Sequence, residues 1–190
     1  MDIINLIMFT NFKNYLLQDI SRRFNNNDFL HCLLRYYRIP TFKILINYRL
    51  GQYISKNGGG KLLVVSRFLM ERLCIRYNVL IDYKLQAGPG LYFPHNGPFI
   101  INGNAIIGDN CTIHPNVLIG GDRGKGTPTI GDNVFIGNGV KIIGDCHIGN
   151  WVFISPGAMV TKDVPDESVV GYGFNNIISR DGMKHVQKYL

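Results

Sequence analysis

Apolar residues recur at every sixth position through the second half of this chain. A loop interrupts the series once, and it then resumes at the same spacing: Ile101, Ile107, Ile113 and Ile119, then Ile130, Ile136, Ile142, Ile148, Ile154 and Val160. An amphipathic helix repeats about every 3.6 residues and a half-buried strand every two, so neither gives this spacing. The hexad predicts a parallel β-helix, in which three hexads form one triangular coil and the recurring residues stack inside it.

A second series of small or apolar residues supports the same architecture. It comes four positions after most residues of the first series: Ala105, Cys111, Val117, Val134, Val140, Cys146, Val152 and Ala158. Glycine follows the recurring residue at Gly108, Gly120, Gly131, Gly137 and Gly149, as the tight corners of a coil require. We therefore expect a mainly β fold.

The chain before the repeats has helical spacing. Apolar residues at intervals of three and four predict helices over Leu30–Arg38, Thr41–Lys56 and Lys61–Tyr77. The repeats begin near Leu85 with an irregular coil, and after Val164-Pro165 a short cap and a helix are expected. The predicted division is a helical region over 1–84, a β-helix domain over 85–170 and a C-terminal tail over 171–190.

Positive charge is concentrated in the helical region. Residues 1–85 hold 13 Lys and Arg against 5 Asp and Glu, whereas residues 86–190 hold 7 against 8. The basic part contains no recognised nucleic-acid module, so no nucleic-acid partner is expected. A solvated helix face is one explanation, and contact with anionic lipid at the inner face of a membrane is another.

Other features of the composition favour a cytoplasmic protein. Asp2 stands where a secretory leader would be basic, and no run of about 18 uncharged apolar residues predicts a membrane span. Cys111 and Cys146 occupy interior hexad positions, and Cys32 and Cys74 lie in apolar helical stretches, so we expect reduced thiols. The cysteines lack metal-ligand spacing, and no metal is expected.

Several stretches of the chain resemble a known family. They are Gly88-Pro89-Gly90-Leu91-Tyr92-Phe93-Pro94-His95, the segments 107–113 (IGDNCTI) and 128–137 (PTIGDNVFIG), and 160–165 (VTKDVP). In these the chain resembles the left-handed β-helix (hexapeptide-repeat) acyltransferases. The likeness is to the serine O-acetyltransferase-like branch, including members from capsule, O-antigen and exopolysaccharide synthesis. The resemblance implies a left-handed parallel β-helix, acetyl-CoA-dependent transfer to a hydroxyl without a metal, and an active site between subunits of a homotrimer.

His95 is the candidate general base. Transfer from a thioester to a hydroxyl needs a group that takes the hydroxyl proton and donors that stabilise the oxyanion. His95 lies in the irregular first coil, where it need not fill the interior, and it aligns with the catalytic histidine of the family. Its neighbour Asn96 is a candidate for binding the acceptor. His114 and His147 lie off the interior series and are predicted to be solvated.

Asp82 is the candidate for orienting His95. The serine enzymes carry an aspartate 15 residues before the catalytic histidine, and here that position is Leu80. Asp82 comes two residues later, which on a strand is the same face. A backbone carbonyl that holds the imidazole, with Asp82 only a turn residue, is the alternative.

The resemblance also implies a binding site for acetyl-CoA. Gly120 and Gly121 would approach the thioester, with an amide near Gly120 facing the oxyanion. Asn138 and Ser155 would line the pantetheine arm, and Lys162 would meet a phosphate group.

The acceptor is predicted to be a saccharide hydroxyl. The serine enzymes carry an aspartate before the catalytic histidine and an Arg-His pair before the proline of the interrupting loop. Here Pro94 precedes His95, and Gly126-Thr127 precede Pro128 in a loop that is three residues shorter. A free amino acid needs charged partners, although Arg123 of this loop could supply one. Serine O-acetylation in cysteine synthesis is the first alternative. A non-catalytic trimeric scaffold at a membrane surface is the second, and pairing of two trimers stays open.

Overall fold

Long helices precede the repeats in the computed structural model, which describes residues 3–23, 38–122, 124 and 126–190, with side chains described from residue 11. They are α1 (Ile3–Ser21), α2 (Pro40–Lys56) and α3 (Gly60–Tyr77). The last two confirm the predicted helices, whereas that over Leu30–Arg38 lies, apart from Arg38, outside the described residues. Within the described ranges, no helix is both long and apolar enough to cross a bilayer.

Short strands follow from Val79 onward, six residues before the predicted onset of the coil. Their bounds are β1 Val79–Leu80, β2 Gln86–Ala87, β3 Phe99–Ile101, β4 Ile106–Ile107, β5 Thr112–Ile113, β6 Leu118–Gly120, β7 Thr129–Ile130, β8 Phe135–Ile136, β9 Lys141–Ile143, β10 His147–Ile148, β11 Phe153–Ile154, β12 Ala158–Val160, β13 Val169–Val170, β14 Gly173–Phe174 and β15 Ile177–Ser179. A short helix α4 (Gly182–Val186) and a 3₁₀ turn (Gln187–Tyr189) end the chain.

The strands form three sheets that are the sides of a triangular prism. Sheet A has the order β1-β3-β6-β9-β12-β14, sheet B β10-β7-β4-β2 and sheet C β15-β13-β11-β8-β5. Neighbours pair in parallel, except that β15 runs antiparallel to β13. Each turn of the chain visits the sheets in rotation, which confirms the predicted parallel β-helix.

The hexad residues form the interior of the prism. All ten are at most 2% exposed, and the second series is buried with them. The register is direct, since Ile113, Ile136 and Ile154 stack in sheet C and Ile101, Ile119 and Ile142 stack in sheet A. Burial of these side chains, each contributing about 1.5–3 kcal/mol, stabilises the coil.

The three corners of the prism differ in construction. At the B–C corner, between sheets B and C, the amide of Asp109 donates to Asp132 Oδ1, that of Asp132 to Asn150 Oδ1 and that of Asn150 to Asp166 Oδ1. These bonds, of 2.7–2.8 Å, link each coil to the next. The C–A corner and the A–B corner each contain one irregular turn.

The irregular turn of the C–A corner belongs to the first coil. Tyr92 and Ile100 are eight positions apart, whereas their register partners Thr112 and Leu118 are six apart. The A–B corner expands in the second coil, where Leu118 and Thr129 are eleven positions apart. The first expansion contains His95, and the second is the loop that interrupts the hexads.

Side chains from the helices satisfy the carbonyl groups of the first coil. Arg49 donates to the carbonyls of Ala87 and Gly88 at 2.7 and 2.6 Å and forms a buried ion pair with Asp19. Tyr48 donates to the carbonyl of Leu85, and Arg23 to that of Phe93. Part of the positive charge of the N-terminal region therefore caps the open end of the β-helix, as terminal repeats of a solenoid require.

The C-terminal turn covers sheet C. The ring of Tyr189 lies 4.2 Å from that of Phe135, and His185 lies 5.3 Å from Phe153, measured between centroids. Arg22, which directly follows α1, donates to the carbonyl of Tyr189. The outer face of sheet A has no such cover from the described part of the chain, and Leu80, Ile100 and Phe174 are about half exposed or more, at 56%, 47% and 62%.

Candidate active site

His95 projects from the expanded turn of the C–A corner. Its side chain is exposed, in agreement with the expectation that it need not fill the interior. The two additional residues of this turn make room for a side chain that points away from the core. An exposed imidazole on a rigid coil can accept a proton from a bound hydroxyl.

Asn96 ties this turn to the helical region. Its Oδ1 accepts hydrogen bonds from the amide and the hydroxyl of Thr41, each at 3.4 Å, in the first turn of α2. Thr41 also contacts the carbonyl of Phe93 through its hydroxyl. The contacts of Asn96 thus hold the turn that carries His95, whereas the sequence had suggested only acceptor binding for this residue.

The structure does not bring Asp82 to His95. Asp82 follows β1 and His95 precedes β3, and these two strands pair in parallel, so the residues lie beyond opposite ends of sheet A. The Oδ1 of Asp82 instead accepts the amide of Lys84, and its Cβ faces Gly103. Within one chain, Asp82 therefore does not contact His95 as the sequence predicts, because the chain turns at Asp82, beyond the end of β1 that lies away from the imidazole.

The predicted acetyl-CoA residues lie at the two corners of the prism that flank sheet A, here called the two edges of that sheet. Asn138 and Ser155 follow strands of sheet C and lie at the C–A corner, on the same edge as His95. Gly120 ends β6, and Gly121 and Lys162 follow at the A–B corner. A single chain therefore does not gather these residues around one ligand.

The interrupting loop has a small internal pairing. Asp122 and Gly126 form an antiparallel bridge, and the Thr127 hydroxyl donates to the carbonyl of Asn104 at 2.9 Å. The candidate Arg123 lies outside the described residues. Among the described side chains, no group of three or more His, Cys, Asp or Glu is arranged to hold a metal ion.

His114, which the sequence predicts to be solvated, is half-buried beside His95. The two ring centroids are 5.5 Å apart at an interplanar angle of 57°. The His114 ring also contacts that of Phe135, at 4.9 Å. Burial lowers the pKa of His114, and the neighbouring His95 lowers it further. The hexad places His114 at the end of a sheet C strand, but the expanded turn that brings His95 over it has no signal in the repeat.

Comparisons with known proteins identify the repeats. Residues 127–162 match the family described as bacterial transferase hexapeptide (six repeats). The serine acetyltransferase of Synechococcus elongatus is 32% identical over 148 residues, which cover 76% of this chain and 59% of that protein. That of Staphylococcus xylosus is 33% identical over 124 residues, covering 64% of this chain and 57% of the relative. The chain thus spans less than two thirds of these curated relatives.

Solved structures agree with the sequence matches. The serine acetyltransferase of Neisseria gonorrhoeae superposes with a TM-score of 0.75 at 25% identity, covering 90% of this chain and 66% of that one. A soybean serine acetyltransferase complexed with serine gives 0.72 at 25% identity, covering 89% and 69%. The hexapeptide repeat and these neighbours together imply the left-handed winding that the sequence predicts.

Proposed function

We propose that this chain, whose repeats are those of the hexapeptide-repeat transferases, is an acetyl-CoA-dependent O-acetyltransferase with His95 as its general base. The observation that carries the proposal is the exposed imidazole of His95 in the expanded turn of an otherwise regular hexapeptide β-helix. The similarity to serine acetyltransferases over most of the chain supports the reaction class.

The reaction we infer is a direct transfer. His95 takes the proton of the acceptor hydroxyl as the hydroxyl oxygen attacks the thioester carbonyl carbon. The tetrahedral intermediate carries its negative charge on the former carbonyl oxygen, toward which a backbone amide near Gly120 would point. When the intermediate collapses, the carbon–sulfur bond breaks, and the proton on His95 passes to the departing thiolate of CoA.

L-Serine is the first candidate for the acceptor, because the relatives reported above are serine acetyltransferases. This reverses the preference for a saccharide that the sequence suggests. The saccharide is the second candidate, and one observation favours it. Pro94 stands where the resemblance to the serine enzymes implies an aspartate, and Gly126-Thr127 where it implies an Arg-His pair, whereas a neutral sugar hydroxyl needs no such partners.

We further infer that the site is completed by a second copy of the chain, as a homotrimer would provide. Sheet A bears an outward column in direct register, which is Leu80, Ile100, Leu118, Lys141, Met159 and Phe174. All but one of these side chains are apolar. Burying this column against a neighbouring prism would also bring the two edges that bear the candidate acetyl-CoA residues into contact with that neighbour.

The experiment measures release of CoA thiol from acetyl-CoA by the purified protein, with L-serine and with a panel of nucleotide sugars and oligosaccharides. We expect turnover with one acceptor class and a loss of about 10²–10⁴-fold in kcat for His95→Ala, the range that a positioned general base contributes. Serine turnover supports the first candidate, and turnover with saccharides alone supports the second.

The matched control is His147→Ala, an exposed histidine on sheet B that lies outside the proposed site. It should retain wild-type turnover and stability. Full activity in His95→Ala would contradict the assignment of the base. If wild-type protein turned over acetyl-CoA with neither acceptor class, the proposed reaction itself would be wrong.

A further inference from the structure

The imidazole of His95 needs a fixed partner if it is to act as an oriented base, and no carboxylate in the described part of one chain forms a hydrogen bond with it. Asp82 lies beyond the opposite end of sheet A, and Asp19, which contacts the first coil at the amide of Leu91, is paired with Arg49. Within the described chain, neither carboxylate forms a hydrogen bond with the His95 ring. The neighbour with the right chemistry is His114.

We propose that His114 is the positioning residue of the active site, accepting a hydrogen bond from one ring nitrogen of His95 while the other nitrogen takes the acceptor proton. The inference rests on the proposed function. The site would then use a pair of histidines in place of a histidine and a carboxylate.

No hydrogen bond joins the described rings of His95 and His114, but the distance between them allows one if the exposed His95 ring turns. With centroids 5.5 Å apart, the nearest nitrogens of two imidazoles that point at each other are about 3 Å apart, a hydrogen-bond distance. A neutral imidazole has one donor and one acceptor nitrogen, so neutral His114 can accept from His95. The same residue when protonated could not.

His114 is held more firmly than His95, as a positioning residue should be. Its amide donates to the carbonyl of Ile136 at 3.0 Å, within the ladder of sheet C. Its ring packs on Phe135, which stacks on Phe153 at 4.6 Å and is covered by Tyr189. The aromatic stack fixes the ring plane of His114, whereas His95 extends from a turn.

The charges around the pair favour neutral His114. Burial and the neighbouring His95 both lower the pKa of His114. On the adjoining elements, Arg22 and Arg23, which follow α1, contact the Tyr92 ring, and His185 and Tyr189 of the tail lie on Phe153 and Phe135. None of these groups is an anion at neutral pH that would hold a proton on His114.

The test compares His114→Phe, which keeps a ring on Phe135 but has no acceptor, with His114→Asn, which keeps an acceptor. We expect His114→Phe to lower kcat by about tenfold to a hundredfold with little change in KM, and His114→Asn to recover part of the loss. These changes are a fraction of the roughly 10²–10⁴-fold that the general base supplies. Circular dichroism and thermal unfolding of both variants identify any loss of fold.

The pH profile separates positioning from a structural role. If activity requires both imidazoles to be neutral, each protonation adds one to the slope of log(kcat/KM) against pH. The limiting slope at low pH should therefore be near two in the wild type and near one in His114→Asn. A folded His114→Phe variant with wild-type kcat, or an unchanged slope in His114→Asn, overturns the positioning role alone. Full activity in His95→Ala overturns the proposed function instead.

A second measurement does not depend on turnover. Proton NMR of the imidazole C–H groups should show that His114 titrates at higher pH when His95 is replaced by Gln, because a neighbouring positive charge has been removed. An unchanged titration of His114 would mean that the two rings do not interact, and it would contradict the proposed hydrogen bond between them.

Discussion

In the regular coils and in the first coil of this β-helix, the backbone N–H and C=O groups form hydrogen bonds with different kinds of partner. In the regular coils each strand bonds to the next, and the carboxylate and amide ladder of the B–C corner repeats from Asp109 to Asp166. In the first coil the carbonyls of Leu85, Ala87 and Phe93 accept hydrogen bonds from side chains of α2 and of the turn after α1, which are distant in sequence. The candidate catalytic residue lies in this second environment.

The difference follows from repetition. A middle coil has identical neighbours above and below, so one short sequence pattern supplies all of its bonds. The first coil lacks a neighbour on one side, and each of its open groups needs an individual partner, because an unpaired buried polar group costs about 1–3 kcal/mol. Because the first coil does not have to match a coil on both sides, it can accommodate an expanded turn and an exposed histidine.

Arg49→Met is expected to have the largest effect, a loss of stability that begins in the first coil and spares the regular coils. The substitution leaves Asp19 buried without its partner and removes two donors from the first coil, and breaking a buried ion pair from one side costs about 3–5 kcal/mol. Denaturant unfolding measures the loss, and hydrogen exchange should show that protection falls first over residues 85–93. Arg76→Met, at an exposed cation of α3, is the control and should change stability by less than about 0.5 kcal/mol. Equal loss of protection in the first coil and at β8–β11 would contradict the distinction between the two regions.

A smaller effect is expected from glycine substitutions at two corners. A Cβ at Gly131 would lie 2.6 Å from Asn150 Oδ1 and 2.9 Å from the carbonyl carbon of Gly149, so Gly131→Ala should cost about 1–3 kcal/mol. At Gly120 the nearest atom to such a Cβ is Leu118 Cδ1 at 3.9 Å, so Gly120→Ala should leave the unfolding midpoint unchanged.

Gly120→Ala therefore offers a test of function without a change in fold. If the thioester approaches Gly120, the variant should lose acetyl transfer mainly through a higher KM for acetyl-CoA. A wild-type kcat and KM in Gly120→Ala would remove Gly120 from the proposed site. Wild-type stability in Gly131→Ala would show that the backbone at this corner adjusts to a Cβ despite the short distances.

The smallest effect is expected from Asp82→Asn. Asparagine keeps the Oδ1 that accepts the amide of Lys84, and the side chain lies beyond the end of sheet A opposite to His95. Acetyl transfer by this variant should stay within about twofold of wild type across the pH range. A loss comparable to that of His95→Ala would restore Asp82 as a partner of the imidazole, which a neighbouring copy of the chain would then have to make possible.

The contacts that recur from coil to coil could be predicted from the sequence alone. The hexad determined the prism, its buried residues and the loop at the A–B corner, because each of these depends on residues at fixed short spacing. The helices over Thr41–Lys56 and Lys61–Tyr77 followed from local periodicity for the same reason. The exposure of His95 was also predictable, since an irregular coil has no interior position for it.

Only the tertiary structure decided which residues surround His95. Asp82 and His95 lie beyond opposite ends of sheet A because one follows β1 and the other precedes its parallel neighbour β3. The expanded turn sets His95 beside His114 of the next coil, a relation that no local spacing encodes. The pairing of Asp19 with Arg49, and the use of arginines to cap the first coil, likewise depend on how the helices dock. The repeated coils could be predicted from the sequence because their contacts recur at fixed spacing. The site lies where the repeat is interrupted, and there the contacts are made between distant parts of the chain.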